Sequence, residues 1–210
     1  MPFAVTHIAA EPDVWVELLT GGLPFDCRGL APGRCGVPEN GAALLGLAEV
    51  PSGEVITLEP APHLAEGRGL MPVVRALAGL ATELCQLPGV TGVFWYPARC
   101  WMTPKYFVGV VQEWLKGGPF PGLGLTSLRH AEGGAMVSLG LDYLIGQELH
   151  FEPNRKVHPA AMARIAVRLV NDLVASGPLV RPAQLRGPEG ELVEVQPAPD
   201  GRVLRITVAA

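Results

Sequence analysis

Apolar residues recur at helical spacing in one long segment between His158 and Pro178. Its apolar side chains repeat every three or four positions, as on the core-facing side of an amphipathic helix: Met162, Ile165, Leu169 and Leu173. Pro159 suits the first helical position, and Gly177 suits the stop. The pattern predicts a helix that packs one face on a core.

Two further segments show the same periodicity. The segment 71–86 precedes Pro88 and has one apolar stripe: Val73, Leu77, Leu80 and Leu84. The other begins at Thr103, which can cap a helix, and continues with Pro104, which can open it. Its inward-facing residues are Phe107, Val110, Val111 and Trp114. We expect both segments to form core-facing helices.

Shorter runs of alternating or β-branched residues predict strands. They fall at 3–9, 42–50, 54–59, 90–96, 123–130, 134–139, 148–152, 191–196 and 203–208. Asp200-Gly201 supplies a hairpin turn between the last two runs. The Gly- and Pro-rich segment 21–41 is the longest weakly patterned stretch, and we expect it to be a loop.

Helices and strands are interspersed without a regular alternation. This order favours an α+β fold with mainly antiparallel sheets and about three amphipathic helices packed on them. Ferredoxin-like units are one arrangement that fits the order. Because no boundary stands out along the chain, we expect residues 1–210 to form a single domain.

The run "GQELHFE" places ionisable residues at alternate positions. In a strand, Glu148, His150 and Glu152 would share one face, while Leu149 and Phe151 would share the other. The three ionisable side chains have a spacing that suits a metal ion or an acid–base pair. The alternative is the solvated face of a half-buried antiparallel strand, and this second interpretation is the one we favour.

Composition and charge narrow the possible classes of protein. The chain is 49% hydrophobic and 17% charged, which argues against intrinsic disorder. A formal net charge of −4 with scattered basic residues gives no general attraction to nucleic acid or to an anionic membrane. The start lacks the features of a secretory signal, and no apolar stretch is long enough to span a membrane. We expect a cytoplasmic location.

A loop with aromatic residues lies between a predicted strand and a predicted helix. Trp95, Cys100 and Trp101 could line the mouth of a ligand pocket there, although packing under a loop is commoner. Arg99 adjoins Cys100, and its charge could lower the pKa of the thiol. These three residues are the candidate ligand-binding positions.

Three quoted segments carry a family resemblance: "GVTGVFWYPARCWMTPKYFVGVVQEW", "MVSLGLDYLIGQELHFEP" and "IAVRLVNDLVASGPLVRPAQLRGPEGELVEVQ". Together they resemble bacterial proteins of the domain of unknown function 4261, over about residues 70–208. Leu144-Ile145 departs from the family pattern, in which an aromatic-glycine pair is expected. The chain is therefore identified as a divergent member or relative. The resemblance implies an α+β fold and carries over no activity.

The function expected from the sequence is non-catalytic. Because no catalytic motif or cofactor-binding motif is found, we assign no catalytic residue and predict no cofactor. The low charge fraction leaves apolar surface for an interface, so we expect a bacterial protein that binds an unknown protein partner or forms a homo-oligomer. The alternative is a small-molecule-binding protein or enzyme with its pocket near the 21–41 and 95–104 loops.

Overall fold

The computed structural model describes residues 2–9, 14–31, 42–154 and 156–209. The chain divides into two compact units. The first comprises Met1–Phe94 and Trp101–Gly118, and the second comprises Trp95–Cys100 and Pro119–Ala210. Whether these two units belong to the single domain expected over 1–210 is not tested by this division, so that expectation stays a prediction.

The described residues form the following elements. The strands are β1 (Ala4–Ala9), β2 (Trp15–Thr20), β3 (Leu23–Arg28), β4 (Ala43–Leu45), β5 (Thr57–Pro60), β6 (Val93–Trp95), β7 (Cys100–Met102), β8 (Ser127–His130), β9 (Met136–Leu139), β10 (Glu148–Phe151), β11 (Ala183–Arg186), β12 (Leu192–Pro197) and β13 (Val203–Ala209). The helices are α1 (Met71–Leu84), α2 (Pro104–Leu115), α3 (Gly122–Leu125), α4 (Asp142–Ile145) and α5 (Pro159–Ser176), with 3-10 turns at Pro62–Gly67 and Glu132–Gly134.

In the first unit, an antiparallel sheet has the strand order β1-β2-β3-β5. Phe25 and Cys27 of β3 are buried, and helix α1 packs against β3 and β5. A smaller sheet has the order β4-β7-β6. The apolar faces of α1 and α2 complete the core of this unit.

The side chain of Arg75 links α1 to the C-terminal end of α2. Its guanidinium lies 4.7 Å from the ring centroid of Trp114 and donates to the carbonyl of Leu115 at 3.0 Å. The last carbonyls of a helix lack partners within it and carry partial negative charge. A cation that also covers an aromatic ring therefore stabilises this helix end in two ways.

The second unit is built on a six-stranded sheet of order β11-β12-β13-β10-β9-β8. Strand β10 runs parallel to β13, and the other neighbouring strands are antiparallel. Its core consists of the buried apolar face of α5 and the inward residues of the central strands, among them Leu149, Phe151, Leu204 and Ile206. The single long helix thus covers one face of the sheet.

The three predicted helices are confirmed. Thr103 caps α2 by accepting from the N–H of Tyr106 at 3.2 Å. His158 caps α5, its Nδ1 accepting from the N–H of Ala160 at 3.2 Å. The predicted stripe of α5 is buried throughout. The hairpin through Asp200-Gly201 is also confirmed, with Gly201 at φ 71°.

The prediction of a loop over 21–41 is wrong for the first part of that range. Gly21 and Gly22 are the two residues of a tight hairpin between β2 and β3, with φ of 58° and 78°. Positive φ at both positions matches the twist of the flanking strands and suits glycine. β3 then runs over Leu23–Arg28, and residues 32–41 lie outside the described residues.

Other boundaries also differ from the predictions. Strands β2, β7 and β11 were not predicted, and the strand expected over 123–130 begins only at Ser127, because the chain turns over Gly122–Leu125. The α+β class with mainly antiparallel sheets is confirmed. Ferredoxin-like units do not describe the larger sheet, because its parallel strands β10 and β13 are direct neighbours, whereas that arrangement separates its parallel strands.

Among the described residues, no helix has the length and apolar character required to cross a membrane.

Replacing Phe151 by Ala tests the core of the second unit. Phe151 is buried in the α5 core cluster, so its loss removes apolar contacts and leaves a cavity. We expect the free energy of unfolding to fall by about 3–5 kcal/mol, measured by urea denaturation. Glu152→Ala, at the next and exposed position, should change it by less than about 0.5 kcal/mol. Equal losses in the two variants would contradict this assignment of the core.

Candidate functional site

The carboxylate of Glu148, the first residue of β10, lies among polar groups of the protein. Its Oε1 accepts from the backbone N–H of Gly140 at 2.6 Å and from that of Asp142 at 3.3 Å. Its Oε2 forms a hydrogen bond with Ser138 Oγ. The side chain therefore joins the end of β9, the turn after it and the start of α4.

Ser138 belongs to this cluster because the β9–β10 ladder changes at its position. The strands pair at Val137 opposite His150, and the N–H of Leu149 then donates to Ser138 Oγ at 2.7 Å instead of to a backbone carbonyl. Ser138 is buried. Its hydroxyl thus satisfies a buried backbone donor and the Glu148 carboxyl together.

The turn between β9 and α4 depends on Gly140. Its φ is 91°, and a Cβ built there would lie 2.9 Å from both the N and the Cα of Ala98. Backbone thus lies directly against backbone at this point, and Ser127 Oγ donates to the Ala98 carbonyl nearby at 2.7 Å. At the other end, Gly146 takes the left-handed conformation that ends α4.

The protonation of Glu148 is shifted towards neutrality. The pKa of this carboxyl is raised from its ordinary value of 4.5 to about 7, chiefly by burial and to a smaller extent by the carboxyl of Asp142, whereas hydrogen bonds from the Ser138 hydroxyl and the Asp142 N–H lower it. A carboxyl with such a pKa can take up or release a proton near neutral pH. Proton uptake and release is the chemistry that this arrangement supports.

The predicted solvated face is wrong for Glu148, which is half-buried and hydrogen-bonded. His150 is also half-buried and pairs with Val137 and Arg205 on the neighbouring strands, and Glu152 is exposed beyond the end of β10. In the part of the chain that the structure describes, no three His, Cys, Asp or Glu side chains are grouped to hold a metal ion. A metal ion at Glu148, His150 and Glu152 stays a prediction.

The three candidate ligand-binding residues are buried. The ring of Trp95 meets that of Tyr143 edge-on, with centroids 6.3 Å apart. Its Nε1 is buried without a hydrogen-bond partner among the described residues. Trp101 packs on Phe94, with centroids 5.0 Å apart. A ligand at these positions stays a prediction.

The pKa of the Cys100 thiol is raised, whereas the sequence suggested that it could be lowered. Burial raises its pKa to about 11, and the positive charge of Arg129 opposes this shift only in part. The anticipated lowering by Arg99 is therefore wrong, because removal from water outweighs a nearby cation. At neutral pH the thiol is protonated, which is the unreactive form.

Sequence patterns did not reveal the partners of Glu148. Ser138, Gly140 and Asp142 belong to the run "SLGLD", which begins in β9 and ends at the start of α4, and this run matches no catalytic or ligand-binding motif. The available signal was the pair of glycines, Gly140 and Gly146, on either side of a very short helical segment. Glycines so placed indicate a tight turn with required positive φ, but they do not indicate which side chain fills it.

Gly140→Ala tests the close backbone contact. The substitution adds both the strain of a positive φ and a clash with the backbone of Ala98. Gly133→Ala is the matched control, because Gly133 has φ 72° and open space around it. We expect Gly140→Ala to lower the free energy of unfolding by at least about 2 kcal/mol more than Gly133→Ala. Equal effects in denaturant titrations would contradict the proposed clash.

The raised pKa of Glu148 predicts how stability depends on pH. A carboxyl whose pKa is higher in the folded protein adds stability below pH 4.5, and this stability is lost as the pH rises through about 7. The neutral isostere Glu148→Gln should not show that loss. We expect the variant to gain about 2 kcal/mol relative to the wild type between pH 4.5 and pH 8, after allowance for solvent screening. Urea titrations across this range measure the difference, and a constant difference would refute the shift.

Comparison with known proteins gives one finding. No family model, curated protein or solved structure matches the chain. The resemblance to the domain of unknown function 4261 stays a prediction from the quoted segments. The geometry of the chain's own residues is the basis for the function proposed below.

Proposed function

We propose that this chain is a non-catalytic, self-associating protein of the bacterial cytoplasm, and that two copies associate through strand β1. The observation that carries the proposal is an outermost strand with exposed apolar side chains. Phe3, directly before β1, is 45% exposed, and Val5 and Ile8 of β1 are 51% and 68% exposed. Contiguous exposed apolar surface is typical of interaction sites.

The position of β1 explains why these side chains are exposed. Val5 lies opposite Leu18, and Ile8 lies opposite Val16, so they face the same side of the sheet as the buried Leu18. Helix α1, however, packs against β3 and β5. The helix therefore covers the far half of this face, and the apolar side chains of β1 remain accessible.

The outer edge of β1 also offers backbone hydrogen bonds. β1 pairs with β2 on one side, and no other strand within the described ranges pairs with it. An unpaired edge presents a row of N–H and C=O groups that can add a further strand. Apolar side chains and free backbone groups thus occur on the same segment.

The other edge strands of the two larger sheets carry features that oppose pairing. β5 has Glu59 and Pro60, β8 has Arg129, and β11 has Arg186. Charge and proline at an edge hinder the addition of another strand. β1 has no Asp, Glu, Lys, Arg or Pro. Its one irregularity is a shift of register between Val5 and His7.

A second copy of the chain is the partner that suits such a strand. Antiparallel pairing of one strand with itself brings the same residues together around a twofold axis, and the resulting dimer is closed. Like charges facing each other would oppose it. The absence of carboxylate, ammonium and guanidinium groups from β1 removes that repulsion, and Val5 and Ile8 of each copy can cover those of the other.

Ile8→Glu tests the proposal, because it places a charge in the middle of the proposed contact. We expect the wild type to be a dimer by size-exclusion chromatography with light scattering, and Ile8→Glu to be a monomer with an unchanged circular dichroism spectrum. Val180→Glu is the matched control: Val180 is 80% exposed in the second unit and should leave the dimer intact.

Two results would contradict dimer formation through β1. One is a wild type that stays monomeric at the highest concentration reached, which would leave β1 for a different partner or for none. The other is a dimer in Ile8→Glu that matches the wild type, which would place the interface elsewhere on the protein.

A further inference from the structure

A small cleft opens in the second unit between α5 and the hairpin of β11 and β12, and we call it the hairpin cleft. Its volume is about 90 Å³. Three of its lining side chains are apolar and buried: Ile165 and Leu169 of α5, and Val193 of β12. Leu185 of β11 also lines it and is 39% exposed. The inner part of the cleft is therefore apolar.

The turn of the hairpin is fixed in place by hydrogen bonds. The N–H of Gly187 donates to the carbonyl of Glu191 at 2.8 Å, and the N–H of Glu189 donates to the Glu191 carboxylate at 2.9 Å. The carboxylate of Glu189 also accepts from the guanidinium of Arg164 on α5. This ion pair joins the turn to the helix. A cleft whose walls are already held together loses little conformational freedom when a ligand enters.

Two guanidinium groups line the same cleft, one on each wall: Arg168 of α5 and Arg186 of β11. Arg186 donates to the carbonyl of Gly190 at 3.2 Å. The Nε of Arg168 lies 3.8 Å from the carboxylate of Asp172, which is beyond hydrogen-bond distance. Because a guanidinium has five N–H donors, these contacts leave both arginines with donors for a ligand. Two cations against the one carboxylate of Asp172 favour an anion.

An apolar interior with arginines at its border suits a carboxylate that carries a short carbon chain. An apolar cavity of about 150 Å³ holds a benzene ring, so the volume of the hairpin cleft, about 90 Å³, suits roughly four carbon atoms. Arginine donates parallel N–H bonds to carboxylate oxygens. The chain would contact Ile165 and Val193, and the carboxylate would lie between Arg168 and Arg186.

We propose that the hairpin cleft binds a short, branched aliphatic carboxylate. Such a group is available from two sources, a free acid or the C-terminus of a peptide that ends in an aliphatic residue, and both present the same carboxylate and carbon chain. The site lies within the second unit and does not depend on dimer formation through β1. Its test and the test of the dimer can therefore fail separately.

Titration of the full chain with isovalerate tests the site, followed by the NMR signals of the backbone amides of Leu185 and Gly187, which line the cleft. We expect saturable shifts of both signals at millimolar concentrations, as is usual for a ligand of so few atoms. Acetate lacks the carbon chain, and isovaleramide lacks the charge. Each should bind at least tenfold more weakly than isovalerate. Equal binding of the three probes, or no shift with isovalerate, would overturn the proposal.

Arg168→Gln and Arg186→Gln test the two guanidiniums, because each substitution removes the charge and keeps a polar side chain. We expect each to weaken isovalerate binding at least tenfold, with an unchanged circular dichroism spectrum. Arg181→Gln is the matched control: Arg181 is exposed in the same unit and does not line the cleft. Its affinity for isovalerate should stay within twofold of the wild type. Wild-type affinity in both Arg168→Gln and Arg186→Gln would refute the site, and the comparison of the three probes decides the matter should either variant fail to fold.

N-acetyl-glycyl-valine distinguishes the two sources of the carboxylate, because its last residue has the same carbon chain as isovalerate. Tighter binding of the peptide than of isovalerate supports the site and identifies a peptide C-terminus as the source. Weaker binding of the peptide, with isovalerate still bound, supports the site and identifies a free acid. If neither compound shifts the amide signals of Leu185 and Gly187, the proposal is wrong.

Discussion

The parallel pairing of β10 with β13 is the constraint on which the second unit depends. It joins two antiparallel groups, β8-β9-β10 and β11-β12-β13, into one sheet. Parallel neighbours need a long connection between them, and α5 is part of that connection. The helix buries Leu149 and Phe151 of one strand with Leu204 and Ile206 of the other. One helix thus supplies both the crossover and the core.

The same pairing determines where Glu148 lies. Because side chains alternate along a strand, the burial of Leu149 and Phe151 against α5 turns Glu148 to the opposite side. At that end of β10 the partner strand β9 has left regular pairing, and Ser138 and the turn at Gly140 lie there instead. The carboxyl is therefore held by protein donors and by Asp142, and it is removed from water enough for its pKa to rise.

Sequence patterns predicted the features that depend on near neighbours in the chain. The three long helices follow from apolar spacing, and Thr103 and Pro159 mark two of their starts. The Gly21-Gly22 hairpin is equally local, but the dense Gly and Pro residues around it concealed β3. Such patterns could not predict the environment of Glu148, because the residues around it are distant in the sequence. Ser138 lies ten positions before Glu148, and Ala98, which contacts Gly140, lies much earlier in the chain.

Alternation shows which side chains share a face, but it does not show what covers that face. In β10 the apolar residues meet α5 and are buried, and the polar Glu148 is enclosed by a turn. In β1 the apolar residues lie beyond the reach of α1 and are exposed. In β1 the deciding factor is how far α1 extends across the sheet, and for Glu148 it is the turn on the side of β10 opposite to α5. A half-buried carboxyl and an exposed apolar strand thus both depend on the elements that pack beside a strand, which the alternation within the strand does not reveal.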